Sequence, residues 1–504
     1  MTRLVVWSCL LLAAVPLAAQ ESAAPAEDTN LSISGPVVIP TSLNPFVPPA
    51  PPGAVKADTR PTMADTVGCP DCNPREKRFW LASLELMSVQ LLPWGLNHFV
   101  RDAEWADISF KSWENNLENP WQWDDNQFLN NQFSHPYHGA MYFNSARANG
   151  YSFWGSFAWP FAGSMMWELF GEAWAPSPND WLNTSLGGIS LGESLWRLSS
   201  LALDNTATGS ERMWREIGGA ALNPVRGFTR LVRGEVNDVG PNPEDYRPSS
   251  IQAVLDVGYR RISTDGEPGL SEGSADDQWN IGMSLRYGDL LTDVRRSPFS
   301  YFQIDAELAG PGDQRKLTRL SSRGSLAAWP LDHASRHQFA VLMSYNYFDN
   351  PAFTFGGQSG HFGILSLWGD RERRKFWVET EALLTGIAIG ATRSDYYQTI
   401  EGRNYDYGTG GGGVLNARAH FHNRASLRLG YSGFYINTID GADSKHYQDV
   451  FTVEGRVRLT HRFGLGAQMS QYNRTSEYVG LADVTQHSTL ARVFVSTAIP
   501  RLED

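Results

Sequence analysis

The chain of 504 residues carries 54 acidic and 42 basic side chains, a net charge of -12, with 18 Trp, 18 Tyr and three Cys. An acidic chain without a basic patch repels phosphate backbones, which excludes nucleic acid as a partner. Three cysteines cannot frame a disulfide scaffold, so the core has to come from burial.

In chain order, Arg3, the apolar run Leu4 to Leu17 and the small residues Ala18 and Ala19 have the form of a secretory signal peptide, so residues 1–19 are expected to be removed on export. Residues 20–74 are rich in Pro, Ala, Ser and Thr and predict a disordered linker, because they bury too little apolar area to offset ordering. Within it, Cys69-Pro70-Asp71-Cys72 predicts a small local disulfide in an oxidising compartment. Pro-rich flanks speak against a redox motif, and no second Cys pair exists for zinc.

Residues 75–249 show helical periods and many Trp. Helices are predicted over Phe79–Leu92, ended by Pro93, then His138–Asn149, Phe153–Trp174, Ile189–Leu203 and Met213–Leu222. The polar stretch from Asn97 to Gln132 favours turns. Ala148 to Trp167 has no charge, yet also no Leu, Ile or Val; it is expected to lie against other protein or at a membrane interface rather than to span.

From residue 250 the period becomes two. Phe339, Val341, Met343, Tyr345 and Tyr347 oppose Gln338, Ala340, Ser344 and Asn346, with Leu342 as the exception; Phe451, Val453 and Val457 oppose Thr452, Glu454, Arg456 and Arg458. About twelve such runs fit an antiparallel transmembrane β-barrel with lipid-facing and lumen-facing residues in alternation. A soluble β-sandwich also alternates, but charges recur inside apolar strands over too many consecutive segments to suit one. The expected architecture for 250–504 is a barrel in the outer membrane of a Gram-negative bacterium, with the helical block packed in or against it. Outer-membrane lipid and the barrel assembly machinery are its expected partners, Phe494 its terminal aromatic signal, and no cofactor or metal is expected.

The polar residues of the helical block form the candidate site: His135, His138, Arg147, Glu168, Glu172, Asp180, Glu193 and Arg197. Glu168 and Glu172, like Glu193 and Arg197, stand four apart and share a helix face. Carboxylates with nearby His suit general acid/base work or a divalent cation. However, His135-x-x-His138 lacks the Glu of a zinc protease helix. The alternative is structural: these charges pair with one another or with lumen residues such as Arg456 and Arg458, plugging the barrel.

The runs His135-Pro136-Tyr137-His138-Gly139-Ala140-Met141-Tyr142-Phe143, Ala146-Arg147-Ala148-Asn149-Gly150-Tyr151, Ser164-Met165-Met166-Trp167-Glu168 with Glu172, and Pro176-Ser177-Pro178-Asn179-Asp180 with Gly192-Glu193 resemble the DUF3943 family, over roughly 97–197. That resemblance implies a signal peptide, a helical block and a β-rich C-terminal region, and no known activity. The expected function is envelope maintenance or passage of a small solute or lipid. The alternative is an outer-membrane lipid hydrolase, for which His420, His422 and Ser426 are the nearest candidates, although His422-Asn423-Arg424-Ala425-Ser426 departs from the His-x-Ser-Asn order of such enzymes.

Overall fold

The computed structural model describes residues 76–499, apart from 244–247, 267–272, 295–296, 311–315 and 372–374. The expected signal peptide, linker and Cys69–Cys72 disulfide lie outside the described residues.

Twelve strands close into one antiparallel barrel in sequence order, β1 pairing with both β2 and β12. They are β1 Ile251–Thr264, β2 Ser274–Tyr287, β3 Phe302–Gly310, β4 Lys316–Pro330, β5 His337–Asn350, β6 Phe353–Gly369, β7 Phe376–Arg393, β8 Tyr405–Phe421, β9 Ala425–Asp440, β10 Ser444–Arg458, β11 Phe463–Tyr478 and β12 Val484–Ile499. Several run further than alternation alone predicts. In β8 the stretch Tyr405 to Gly411 reads as loop, yet it pairs with β7 and β9. Glycine permits this close approach: a Cβ on Gly410 would lie 1.8 Å from the Tyr435 carbonyl oxygen.

Cross-strand partners share a face, so the register decides what points inward. Asp256 opposes Gly282, Gly282 opposes Glu307, Glu307 opposes Arg319, and Arg319 opposes Phe348. This face is the lumen. Its charges satisfy one another: Arg456 meets Asp256 and Glu454, each at 2.8 Å, Arg492 meets Glu307 at 3.1 Å, Arg323 meets Glu381 at 2.8 Å, and Arg260 also contacts Glu307. Nearer the other end an apolar layer crosses the lumen, with Phe348, Ile387, Val414, Phe434, Val450 and Leu490 all buried. Leu342 belongs to this inward set, which explains why it breaks the outward alternation of its strand. Phe494 also points inward, beneath Arg456 and Arg492, and β12 continues past it to Ile499.

The opposite face carries exposed apolar side chains around most of the wall, including Val257, Leu384, Leu415, Leu429, Leu465 and Val495. A patch on β3 to β5 and the start of β8 is covered instead. There Ile304, Leu320, Met343, Tyr345, Tyr347 and Tyr407 are buried against the helices. All five register shifts fall between β3 and β9, on the side where the helices dock. A bulge bends its strand and re-aims side chains, which lets the wall follow a helical surface.

The helices are α1 Phe79–Phe99, α2 Phe110–Glu118, α3 His135–Ala148, α4 Phe153–Ser156, α5 Ala158–Met166, α6 Pro178–Leu182, α7 Gly188–Ala202, α8 Gly209–Leu222 and α9 Pro224–Val232, with π-helical turns at Asn130–Ser134, Trp167–Gly171 and Asn183–Gly187. Pro93 does not end α1. It forgoes one backbone hydrogen bond, but the following turn is held by Trp94, whose indole donates to the Ala106 carbonyl at 2.9 Å and stacks on His98. The turn-rich stretch also holds α2, started by a reciprocal Ser109–Ser112 capping box. Among the described residues no helix is long and apolar enough to cross a membrane on its own.

The block touches the barrel from outside. Ser194 Oγ lies 2.7 Å from Ser322 Oγ, and Tyr345 donates to the Gln132 carbonyl at 2.7 Å. Ser322 opposes Ile304 and Tyr345, both on the outward face. The expected pairing of block charges with Arg456 and Arg458 therefore does not form. Arg456 is held within the lumen, and Arg458 donates to the Thr460 and His461 carbonyls at a turn. The block is no lumen plug, because the wall stands between it and those residues.

This docking is testable by cross-linking. With Cys9, Cys69 and Cys72 replaced by Ser, the pair Ser194→Cys and Ser322→Cys is expected to form a disulfide under oxidation, because hydroxyls 2.7 Å apart set the Cβ atoms within bonding reach. A protease site inserted between Val232 and Ile251 makes it readable: block and barrel should stay joined on a non-reducing gel. Separation would place the block elsewhere.

Candidate functional site

The eight predicted site residues separate into two groups. Arg147, Glu193 and Arg197 form a buried ionic bolt. Arg147 makes a forked contact with Glu193 at 2.8 and 2.9 Å, and Arg197 Nε donates to the same carboxylate at 2.9 Å. Arg197 also donates to the Pro298 carbonyl at 2.8 Å, so the bolt ties α3 to α7 and α7 to the β2–β3 connection. Every charge is spoken for and the group is buried, so its role is structural. Glu193→Gln leaves two buried guanidiniums short of their counter-charge and is expected to cost about 3–5 kcal/mol. The predicted signature is loss of the block's protease resistance in detergent while the barrel keeps its heat-modifiable gel migration; unchanged resistance would remove the bolt from the account.

His135, His138, Glu168, Glu172 and Asp180 come together at the other end of the block. The π-helical turns set this up: the one preceding α3 aims His135 toward Asp180, Nε2 to Oδ1 3.6 Å, with Nδ1 3.1 Å from Thr184 Oγ1. Glycine makes the approach possible, since a Cβ on Gly139 would sit 1.7 Å from the Thr184 carbonyl oxygen. Glu168 accepts from the Ser177 backbone N–H at 2.8 Å. His138 stacks near Tyr142 and Trp167.

Several members of this site are not legible in the sequence. Asp124 accepts from Asn131 Nδ2 at 2.8 Å, and Asn179 accepts from the Asp124 N–H at 3.0 Å while donating to Asp180 at 2.9 Å. Tyr405 and Tyr407, from the outer face of β8, meet Asn131 at 2.9 Å and Asn179 at 3.2 Å. Arg403 donates to the Asp124 carbonyl at 3.2 Å. The Asp124-Asp125 pair and the Asn residues around it were the available signal, and they read as turn formers.

The group borders a cavity of about 650 Å³ lined by His135, His138, Glu172, Asp180, Asp124 and Ser177, and by the rings of Trp105, Trp123, Trp167 and Trp174. It lies beside the β7–β8 connection at the rim of the barrel, where Tyr397 donates to Asp125 at 3.3 Å. Burial, added to by Asp124, lifts Glu172 from 4.5 to about 8. Burial together with the neighbouring carboxylates Glu172 and Asp180 holds Glu168 well above the usual range, and burial with Asp124 and Glu172 does so for Asp180. Burial lowers His135 and His138 from 6.5 to about 4, His135 adding to the effect on His138. At neutral pH the site therefore offers protonated carboxyls and neutral imidazoles, both donors and acceptors, with aromatic faces around them. Among the described residues no three His, Cys, Asp or Glu side chains converge to hold a metal ion.

The signs of these shifts predict opposing pH arms. Glu172 has a folded value above its unfolded one, so its stabilising contribution is complete below pH 4.5 and is lost as pH rises through about 8. The two His have depressed folded values; theirs is complete above pH 6.5 and is lost as pH falls through about 4. Near-ultraviolet circular dichroism melts in detergent should show Glu172→Gln flattening the alkaline arm and His138→Gln weakening the acid one. An alkaline arm that persists in Glu172→Gln would assign it to other groups.

The hydrolase residues do not assemble. His420 stacks on Trp377 with ring centroids 4.5 Å apart, His420 and Ser426 oppose each other on the buried lumen face, and His422 sits at a left-handed position in the β8–β9 turn. No serine–histidine pair faces lipid there.

Fold and site together define a closed twelve-stranded β-barrel of outer-membrane type with a helical block, carrying a polar aromatic cavity, on its outer wall. Residues 120–225 match the family described as "Domain of unknown function (DUF3943)". No curated protein matches the chain. Among solved structures, the chain is similar to the NanC porin at 11% identity, covering 49% of this chain and 100% of that one with a TM-score of 0.28. It is also similar to the COG4313 outer membrane channel from Pseudomonas putida F1 at 13% identity, covering 52% and 100% with a TM-score of 0.26. A third is the KdgM porin in complex with disordered oligogalacturonate, at 10% identity, 49% and 99% coverage and a TM-score of 0.21. Overlap this loose carries nothing about cargo to this chain.

Proposed function

We propose that this chain is an outer-membrane protein of the Gram-negative envelope, inserted by the barrel assembly machinery after export, that binds a small polar solute in the rim cavity of its helical block. The observation that carries the reading is that cavity, where four of the predicted residues, His135, His138, Glu172 and Asp180, meet four Trp rings in about 650 Å³. Carboxylates beside aromatic faces favour ligands that bear ammonium groups, because ring quadrupole and carboxylate attract the same charge. The role in the envelope is then solute or lipid-headgroup handling at the outer membrane rather than catalysis.

Choline serves as the probe, being a cation at every pH. Its titration, followed by Trp emission in detergent, should show affinity rising between pH 6 and pH 9 as Glu172 ionises, with that rise gone in Glu172→Gln. No binding by the wild type, or an undiminished rise in the variant, ends this reading.

Passage through the lumen is the second reading, favoured by the belt of Arg and carboxylate side chains on its wall. A solute taking that route has to part the apolar layer that includes Phe348 and Phe434. The cavity reading expects wild-type silence in planar bilayers and current in a Phe348→Ala, Phe434→Ala double variant. Steady wild-type conductance would move the function to the lumen.

A further inference from the structure

The helical block reaches both rims of the barrel along its outer wall. Successive strand connections alternate between rims, so the β2–β3 connection and the β7–β8 connection lie at opposite ends. The block grips the first through Arg197 and Pro298 at 2.8 Å and through the Phe153 and Phe299 rings at 5.8 Å. It grips the second through Arg403 and Asp124 at 3.2 Å and through Thr399 and Asp125 at 3.4 Å. Whatever plane the bilayer takes around this barrel, the block stands beside the wall in that plane.

From this the geometry points to the outer layer of the helical block as a second lipid-facing surface, continuous with the apolar belt of the barrel, whose occupant is the acyl-chain region of the same membrane. The inference rests on the reading of the barrel as a membrane protein.

The outermost helix has the right build. α1 is 21 residues long, about 30 Å, close to the hydrocarbon thickness of a bilayer. One face turns away from the protein with large apolar side chains: Trp80 is 83% exposed and Leu92 74%, with Leu84, Leu91 and Phe99 also bare. In water such a stripe is a standing liability for a protein that hides its polar groups so thoroughly. Two polar residues in the middle of α1, Glu85 and Gln90, face the other way and are satisfied. Glu85 is buried and accepts from Asn149 at 2.7 Å and Thr229 at 2.8 Å, and Gln90 donates to the Gly163 carbonyl at 2.9 Å. Hydrocarbon imposes this inversion, since polar side chains at membrane depth need protein partners.

The shorter helices near the first rim repeat the pattern. In α9, Arg226 and Arg230 turn inward, Arg230 to Glu216 at 2.7 Å and Arg226 to the Trp196 carbonyl at 3.0 Å, while Phe228, Leu231 and Val232 are exposed. An amphipathic helix of this kind lies in the interface plane. On this account α1 is unable to cross alone because its inner face is polar, and it stays in the bilayer because the barrel-side helices take that face.

The test is collision-gradient spin-label accessibility in the full chain, reconstituted in phosphatidylcholine vesicles with Cys9, Cys69 and Cys72 replaced by Ser. Labels go on Leu84→Cys and Leu91→Cys in α1, with Leu429→Cys on the barrel belt and Arg261→Cys on the charged outer rim as references; exposed positions disturb packing least. The proposal expects the oxygen-to-nickel-chelate collision ratio at 84 and 91 to match that at 429 and to exceed that at 261. A water-like ratio at 84 and 91 with a lipid-like one at 429 overturns it and leaves the barrel reading standing. Exclusion of both reagents at 84 and 91 also overturns it, by showing protein over the face, whether another segment or a second copy. A water-like ratio at 429 removes the membrane reading beneath it.

Discussion

Closure of the hydrogen-bond ladder between β1 and β12 is the constraint on which this molecule depends. A closed sheet has no free edge, and its pleat commits every side chain to the lumen or to the outside. Because register passes this commitment from strand to strand, one pairing such as Asp256 with Ser496 fixes the facing of its strand and of both neighbours. Carboxylates and guanidiniums then converge inside at distances that satisfy them, and the outside is left apolar.

The outer wall has two kinds of neighbour. Over much of the circumference, as at Val257, Leu384, Leu415 and Leu465, the apolar side chains are bare, while a patch on β3 to β5 and the start of β8 meets helices. Tyr405, Tyr407 and Tyr345 give this interface its polarity: each buries its ring at the wall and spends its hydroxyl on the π-turn segments opposite. The same hydroxyls brace Asn131 and Asn179, which hold Asp124 and Asp180 in place. The cavity is therefore built jointly by barrel and block.

Within the block, the two ionic groups behave oppositely. Glu193 has two guanidiniums and is quenched. Burial, reinforced by neighbouring carboxylates, leaves Glu168, Glu172 and Asp180 to hold protons instead.

Much of the barrel was legible from residue order. Twelve two-residue rhythms correspond to twelve strands, since facing is a local property of a pleated chain, and the helical block and its family-like motifs announce themselves through local periods and spacing. The sequence also set out the polar residues of both groups, because buried charge amid apolar neighbours is conspicuous at any fold. What it could not decide was which side of the wall the helices take: Met343, Tyr345 and Tyr347 look identical whether they meet lipid or helix, as an apolar face records dryness and not the identity of its cover. Nor could it divide the eight polar residues into bolt and cavity, or bring in Tyr405 and Tyr407 from some 270 residues away, for those depend on contacts that only the closed tertiary structure creates.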